Sequence, residues 1–458
     1  MKYIYICLCV IAAVVPYSCS TVKHCRPPEL NLPETIAGHA DSLTIADLAW
    51  WEFYGDTTLC RILKRTLTDN KNIRSAAARV EQMRQLYRVN KANRLPSLTA
   101  TALADYETND YDGEASLRDP EFDLKATLSW EADLWGRLRW AKRKGEAAYA
   151  ASVEDERAMR MLLVAETASA YFRLVALDNE LSIVRQTLET RREGIAQAKL
   201  RFEGGLTSET VYQQAQVEYA ATAALIPDLE QRIEITGNAI SLLMGGYPDR
   251  KVIRGRMNIA EIGSEYLPVG IPSVLLLRRP DLRASEARLR TALADVGIAY
   301  TDRFPRLMFS LSGGWENDDL KRLLRSPFSY AVGTLTAPIF GFGRKRAAYR
   351  AAVAAYEQAR LGYEQKVLEV FKETDDAIVS YRSTRQAAQL KSDLCEAARK
   401  YVDLANLQYR AGSINYIDVL DAQRRYFDAR TGLSNAVRDE YLALVQLYKA
   451  LGGGWRDE

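Results

Sequence analysis

Leu98-Thr99-Ala100-Thr101-Ala102-Leu103-Ala104-Asp105-Tyr106-Glu107 puts Leu98, Ala100, Ala102, Ala104 and Tyr106 on one face of an extended chain, with mainly polar residues opposite. Successive side chains of a strand point to opposite faces, so this period of two describes a strand with one apolar face. The pattern returns at Phe122, Leu124, Ala126, Leu128 and Trp130, set against Asp123, Lys125, Thr127, Ser129 and Glu131. A polar stretch through Asp110, Asp112 and Gly113 lies between the two runs. Each run is about ten residues, the length of a tilted strand that crosses a bilayer.

Outward from these strands the period becomes helical. Helical spacing begins near Thr57, is interrupted around Asp69-Asn70, and ends at Arg94-Leu95-Pro96, where proline breaks it. On the other side a proline-free helix is expected from Arg137 to about Glu203, roughly 100 Å long at 1.5 Å per residue. Within it Ala158, Met161, Ala165, Ala168, Phe172 and Val175 step by three and four, which is coiled-coil spacing with small residues that admit close neighbours. Phe202-Glu203-Gly204-Gly205-Leu206 reverses the chain, and a further helix is expected up to Gly245-Gly246.

The whole plan then recurs. Arg303-Phe304-Pro305 repeats Arg94-Leu95-Pro96, and Phe342-Gly343-Arg344 repeats Trp135-Gly136-Arg137. Leu307, Phe309, Leu311, Gly313 and Trp315 alternate with polar partners, and Phe328 to Ile339 gives a fourth, less regular strand. The prolines differ by 305 − 96 = 209, the Gly-Arg arginines by 344 − 137 = 207, the glutamines of two Ala-Gln pairs by 423 − 216 = 207, and the terminal glycines by 452 − 245 = 207. One offset over the long helices means two large pseudo-equivalent halves. The change of two falls in the strand pair, where the second loop is expected to be the shorter.

In the second half the reversal is Tyr409-Arg-Ala-Gly-Ser-Ile-Asn-Tyr-Ile-Asp-Val-Leu-Asp-Ala-Gln423. Gly412 suits a helix end, and Ser413 or Asn415 can cap the next helix. Asp418 and Asp421 are three apart and share one helical face.

Composition excludes several classes. The 458 residues have a net charge of +3, which gives no basic surface for nucleic acid. Both histidines, His24 and His39, lie near the N-terminus, away from any catalytic or metal-binding pattern. There is no Gly-rich phosphate loop after a strand and no nucleophile elbow, so an enzyme is not expected, nor a cofactor or metal. A soluble periplasmic coiled-coil scaffold is disfavoured by the four sided strands. Lys2 followed by the apolar run Ile4 to Val15 reads as an export signal, too short for a membrane-spanning helix. Cys19 follows it as the lipid-acceptor cysteine of a bacterial lipoprotein would. Cys25, Cys60 and Cys395 remain, scattered and odd in number, and they do not form a disulfide framework. The expected division is therefore a signal at 1–18, an extended lipid-anchored segment at 19–56, a first repeat at 57–250, a connector at 251–274 and a second repeat at 275–458. No other segment is apolar and long enough to span as a helix, so membrane insertion requires a closed barrel.

Ile271-Pro272-Ser273, Arg279-Pro280-Asp281-Leu282, Phe304-Pro305, Phe340-Gly341-Phe342-Gly343, Asp418-Val419-Leu420-Asp421-Ala422-Gln423 and Ala450-Leu451-Gly452-Gly453-Gly454-Trp455 resemble the TolC-type outer membrane factors, most closely the OprM-like lipoprotein branch. The resemblance implies an α+β membrane protein. Three chains of four strands would form a homotrimeric 12-stranded transmembrane β-barrel, continued by a periplasmic α-helical barrel. Phe122, Leu124 and Leu128 would meet outer membrane lipid. Asp123, Lys125 and Glu131 would line water, and Trp130, Trp135, Phe340 and Phe342 would mark the membrane boundary. It also implies the exit duct of a tripartite efflux system, partnered by a periplasmic adaptor and an inner-membrane resistance-nodulation-division transporter. A type I protein secretion duct is the alternative. Ile417, Asp418, Asp421 and Tyr409 match the family's periplasmic gate. Gathered carboxylates there imply raised pKa values and block by divalent cations. Gly204, Gly205, Gly412 and Ser413 fall in the adaptor-contact turns. Ile414 stands where some members carry a lock arginine, and Val211 and Gln214 stand opposite Asp418 and Asp421 in the first half.

Overall fold

Alternation makes the strands, and their pairing decides which residues share a face. The computed structural model describes residues 25–33, 35, 44–109, 112, 117–248, 253–255, 275 and 278–455. The expectations for the signal, Cys19 and most of the connector, including Ile271-Pro272-Ser273, lie outside the described residues. The chain divides into two compact units, one of 1–30, 78–154 and 283–366, the other of 31–77, 155–282 and 367–458.

The first unit holds one antiparallel sheet in the order β1 (Ser97–Asn109), β2 (Leu117–Ala132), β3 (Arg306–Asn317), β4 (Pro327–Thr336). The central ladder, β2 with β3, joins the two halves of the sequence. Opposed residues place Leu98, Leu128 and Leu311 in one row and Ala102, Leu124 and Trp315 in another, giving one continuous apolar face. The other face carries rows such as Thr99–Thr127–Ser312 and Leu103–Asp123–Glu316. Trp130 stacks on Phe309 and donates its Nε1–H to the Arg94 carbonyl at 3.1 Å. Trp135 donates to the Pro305 carbonyl at 2.8 Å and stacks on Phe304, fastening the start of one repeat's long helix to the other repeat's proline break. Phe340 and Phe342 are 79% and 93% exposed, beyond the end of β4.

Two strand expectations need correction. β4 stops at Thr336, short of Ile339, ahead of Pro338, which has no N–H for a ladder. The second loop is also not the shorter one. β3 and β4 are separated by 318–326, which contains a 3₁₀ turn at Leu320–Arg325, whereas β1 and β2 are separated by 110–116. The shortening falls on the strands, 16 residues in β2 against 10 in β4.

The helices repeat the sequence offset. α1 (Trp50–Tyr54) precedes α2 (Thr57–Asp69) and α3 (Lys71–Ala92). Asp56 caps α2 by accepting from Thr58 and Leu59, at 2.7 and 3.1 Å. α4 (Arg137–Glu203) matches α8 (Arg344–Arg410), each 67 residues, and α3 matches α7 (Pro280–Thr301). The returning helix of the first half is in two pieces, α5 (Glu209–Ala223) and α6 (Leu225–Leu243), because Pro227 withholds an N–H one turn into α6. Its counterpart α9 (Tyr416–Ala450) is continuous. The break near Asp69-Asn70 is real, and Asn70 serves both sides of it. Its Oδ1 accepts from the Asn72 N–H at 2.9 Å, and its Nδ2 donates to the Leu243 carbonyl at 2.8 Å.

In the second unit Leu59, Leu63, Leu174, Ile240 and Val445 are buried to 1% exposure or less around Tyr171 and Tyr448. Each such side chain contributes about 1.5–3 kcal/mol. Arg279 is the second-half counterpart of Asn70. It is 2% exposed, donates to the Ala450 carbonyl at 3.2 Å, and pairs with Asp281 and Glu373 at 2.7 and 2.9 Å. Each half therefore ties the start of one helix to the end of its last, once with an amide and once with a guanidinium.

Candidate functional site

Both hairpin turns have the same backbone. Gly205 and Gly412 sit at φ +71° and +75°, and the following N–H groups of Leu206 and Ser413 reach back to the Arg201 and Gln408 carbonyls at 2.8 and 2.9 Å. A left-handed glycine closing a helix in this way satisfies carbonyls left open at its end. Ser413 belongs to that closure, so the capping residue of α9 is Asn415. Gly204, Gly205, Gly412 and Ser413 are all exposed.

Below the turns the two hairpins of the chain pack together. Ala198, Ala215, Tyr416 and Val419 form a buried cluster joined by Val211, Tyr409 and Ile414. Ile414 is therefore a partly buried apolar contact of the tip. Tyr416 lies 8% exposed beside Gly194, where a Cβ would sit 2.7 Å from its hydroxyl. Burial pushes the Tyr416 phenol up from its ordinary value.

Tyr409 is gripped by Arg201 from the other hairpin. The guanidinium donates to the Tyr409 hydroxyl at 2.5 Å, and its Cζ lies 4.6 Å from the ring centroid. Sequence reasoning missed Arg201, because a partner from the opposite hairpin leaves no local spacing to read. It also missed Arg191, whose partners stand 27 and 31 residues on, on the returning helix of the same hairpin. Arg191 is 8% exposed and donates to the Glu218 carbonyl at 2.6 Å and to the Thr222 hydroxyl. It also pairs with the Glu218 carboxylate at 2.9 Å. Burial pulls its guanidinium down from the ordinary arginine value, against the raising effect of Glu218.

Asp418 and Asp421 are on one helix but engaged differently. Asp418 turns back and accepts the Asn415 backbone N–H at 3.0 Å, as a carboxylate in the first helical turn does. Asp421 accepts from Arg425 and Arg424, each at 2.7 Å, and those bonds hold its carboxyl below the usual aspartate value. Within one chain this is opposite to the raised value expected for Asp421 from crowded carboxylates. Ile417, 55% exposed, stands beside them. Among the described residues no group of three or more His, Cys, Asp or Glu could hold a metal ion. No helix there is long and apolar enough to cross a membrane.

A four-stranded sheet with one apolar face, joined to paired helical hairpins, is the fold of the outer-membrane channels. The structure superposes on the outer-membrane channel OprN with a TM-score of 0.84 at 28% identity, covering 94% of this chain and 99% of that one. The profile of the family described as Outer membrane efflux protein matches residues 62–246 and again 271–453, and the chain belongs to that family. The two matched segments end 453 − 246 = 207 residues apart, the offset of the repeat. Similar relatives include the solvent efflux pump outer membrane protein SrpC of Pseudomonas putida, 31% identical over 88% of this chain and 87% of its own length. Another is the probable outer membrane lipoprotein SilC of Salmonella typhimurium, 29% identical over 94% of each chain. This chain is thus an outer membrane efflux protein.

Proposed function

We propose that three copies assemble into a passive exit duct, without catalytic chemistry, for small molecules driven by an inner-membrane pump through a periplasmic adaptor. The observation that supports this most is the sheet. β1 and β4 leave open edges on a sheet with a continuous apolar face. Unpaired backbone edges are not tolerated in lipid. Three chains of four strands supply twelve, enough to close a barrel with a wide lumen. Relatives are named for solvent efflux, cation efflux and pyoverdine export. Such a spread supports a duct whose cargo is chosen mainly by the pump, here a resistance-nodulation-division transporter. Cys19 is the expected acylation site. Gly204, Gly205, Gly412 and Ser413 present the turns to the adaptor. Tyr409, Ile417, Asp418 and Asp421 act as the periplasmic gate.

Trimer migration in detergent that collapses to monomer on heating tests the assembly, and a water-soluble monomer would end it. Cysteines placed in the two turns should crosslink to the co-purified adaptor. For the gate, Asp418→Ala with Asp421→Ala should weaken divalent-cation block of single-channel current in planar bilayers. Unchanged block removes both residues from the gate.

A further inference from the structure

β4 places Phe328, Tyr330 and Val332 on the face that the other strands keep mainly polar. Ser312 lies opposite both Thr127 and Tyr330, and Gly314 lies opposite both Lys125 and Phe328. Opposed residues share a face, so Phe328, Tyr330 and Val332 stand with Thr127, Lys125 and Ser310. The Phe328 and Tyr330 rings stack at 5.9 Å and 15°, and Tyr330 remains 48% exposed.

The same end of this face opposes like charges. Asp105 lies opposite Glu121, and Asp123 lies opposite Glu316. Directly opposed like charges destabilise a sheet. Lys125 pairs with the Asp123 Oδ2, whereas Asp105, Glu121 and Glu316 have no ion pair among the described residues. Asp123 is 4% exposed, and its Oδ1 has no hydrogen-bond partner among the described residues. An arrangement that is unfavourable for the sheet alone becomes favourable when a cation sits over it. Aromatic faces attract cations as well.

We propose that this end of the polar face is a binding section for aromatic organic cations, with Phe328 and Tyr330 as the stacking shelf and Asp123 and Glu316 as the counter-charge. It rests on the proposed function, because the face lines water only when the sheet closes into a barrel. The test uses the full-length protein in planar bilayers, with tetraphenylphosphonium added from the outer side and tetraethylammonium as the non-aromatic comparison. Phe328→Ser with Tyr330→Ser should weaken tetraphenylphosphonium block about ten-fold and change tetraethylammonium block far less. Asp123→Asn with Glu316→Gln should weaken both. Unchanged tetraphenylphosphonium block, or an equal loss for the two cations in the aromatic variant, overturns the shelf. A second measurement does not depend on the double variants. With Cys25, Cys60 and Cys395 replaced by Ser, Tyr330→Cys should react with a charged, membrane-impermeant thiol reagent and lower the current stepwise. Conducting channels in which that cysteine is unreactive overturn the inference alone, whereas absence of any conducting channel from the unaltered protein overturns the duct itself.

Discussion

The two hairpins share a backbone and differ in where their charge lies. In the first, Arg191 is buried and ties α4 to α5 through Glu218 and Thr222. At the matching positions of the second, 207 residues on, stand Ala398, Arg425 and Ala429. There Val402, Ala405 and Ala422 pack as small apolar contacts, and the ion pairs of Asp421 run along α9 to Arg424 and Arg425. A buried ion pair is costly to break because the surviving partner stays in a poor solvent. Small apolar contacts part more cheaply. The first hairpin is thus braced across its helices by a buried ion pair, and at the matching positions the second is not.

The largest break in that comparison comes from Arg191→Ala. It should cost about 3 kcal/mol, read as a lower thermal midpoint of the purified channel. A loss no greater than that of Val402→Ala would remove the asymmetry. Next is the Arg201 grip on Tyr409. Arg201→Ala and Tyr409→Phe should each cost about 1–2 kcal/mol and raise the open probability of single channels roughly ten-fold. The double variant should add little to either, and full additivity would uncouple the pair. The pH dependence of Asp421 is a smaller effect with a definite sign. Its folded value is depressed by Arg425 and Arg424, so the charged, paired state is complete above the ordinary aspartate range and is lost as pH falls through the lowered value. Cation block should therefore persist to more acidic pH than a free aspartate would allow. Block that fades at or above the ordinary value would mean that carboxylates of neighbouring copies dominate. Smallest is Gly205→Ala against Gly412→Ala. Both positions have left-handed φ with nothing within 4 Å of a Cβ, so each substitution should cost about 1 kcal/mol. Unequal losses in denaturant midpoint would show that one turn is held by more than its backbone.

Much of the fold was legible because it rests on period. The alternation at Leu98–Glu107 and Phe122–Glu131 placed β1 and β2, and the 207-residue offset located α8 and α9 from α4 and α5. What escaped depended on neighbours far along the chain. β4 looked irregular by itself because only its pairing with β3 tells which of its residues share the face of Thr127. Two prolines are local signals that the periodicity hides: Pro227 splits the returning helix of the first half, and Pro338 stops β4 short of Ile339. At the tip, the acids and turn glycines were visible as a motif. The Arg201 partner of Tyr409 is a matter of cross-hairpin reach, which spacing does not encode, whereas Arg424 and Arg425 stand three and four residues after Asp421, and Asp418 three after Asn415, spacings that sequence alone can show.

The ladder between β2 and β3 sews one repeat to the other within a single polypeptide. A chain with only one repeat would bring two strands and would need twice as many copies to make the same ring, every copy bearing the same tip. Fusion relieves that identity. Once the seam is covalent, a carboxylate can be kept in alternate positions around the circle and omitted from those between, so the pore can carry half the charge that strict symmetry would impose.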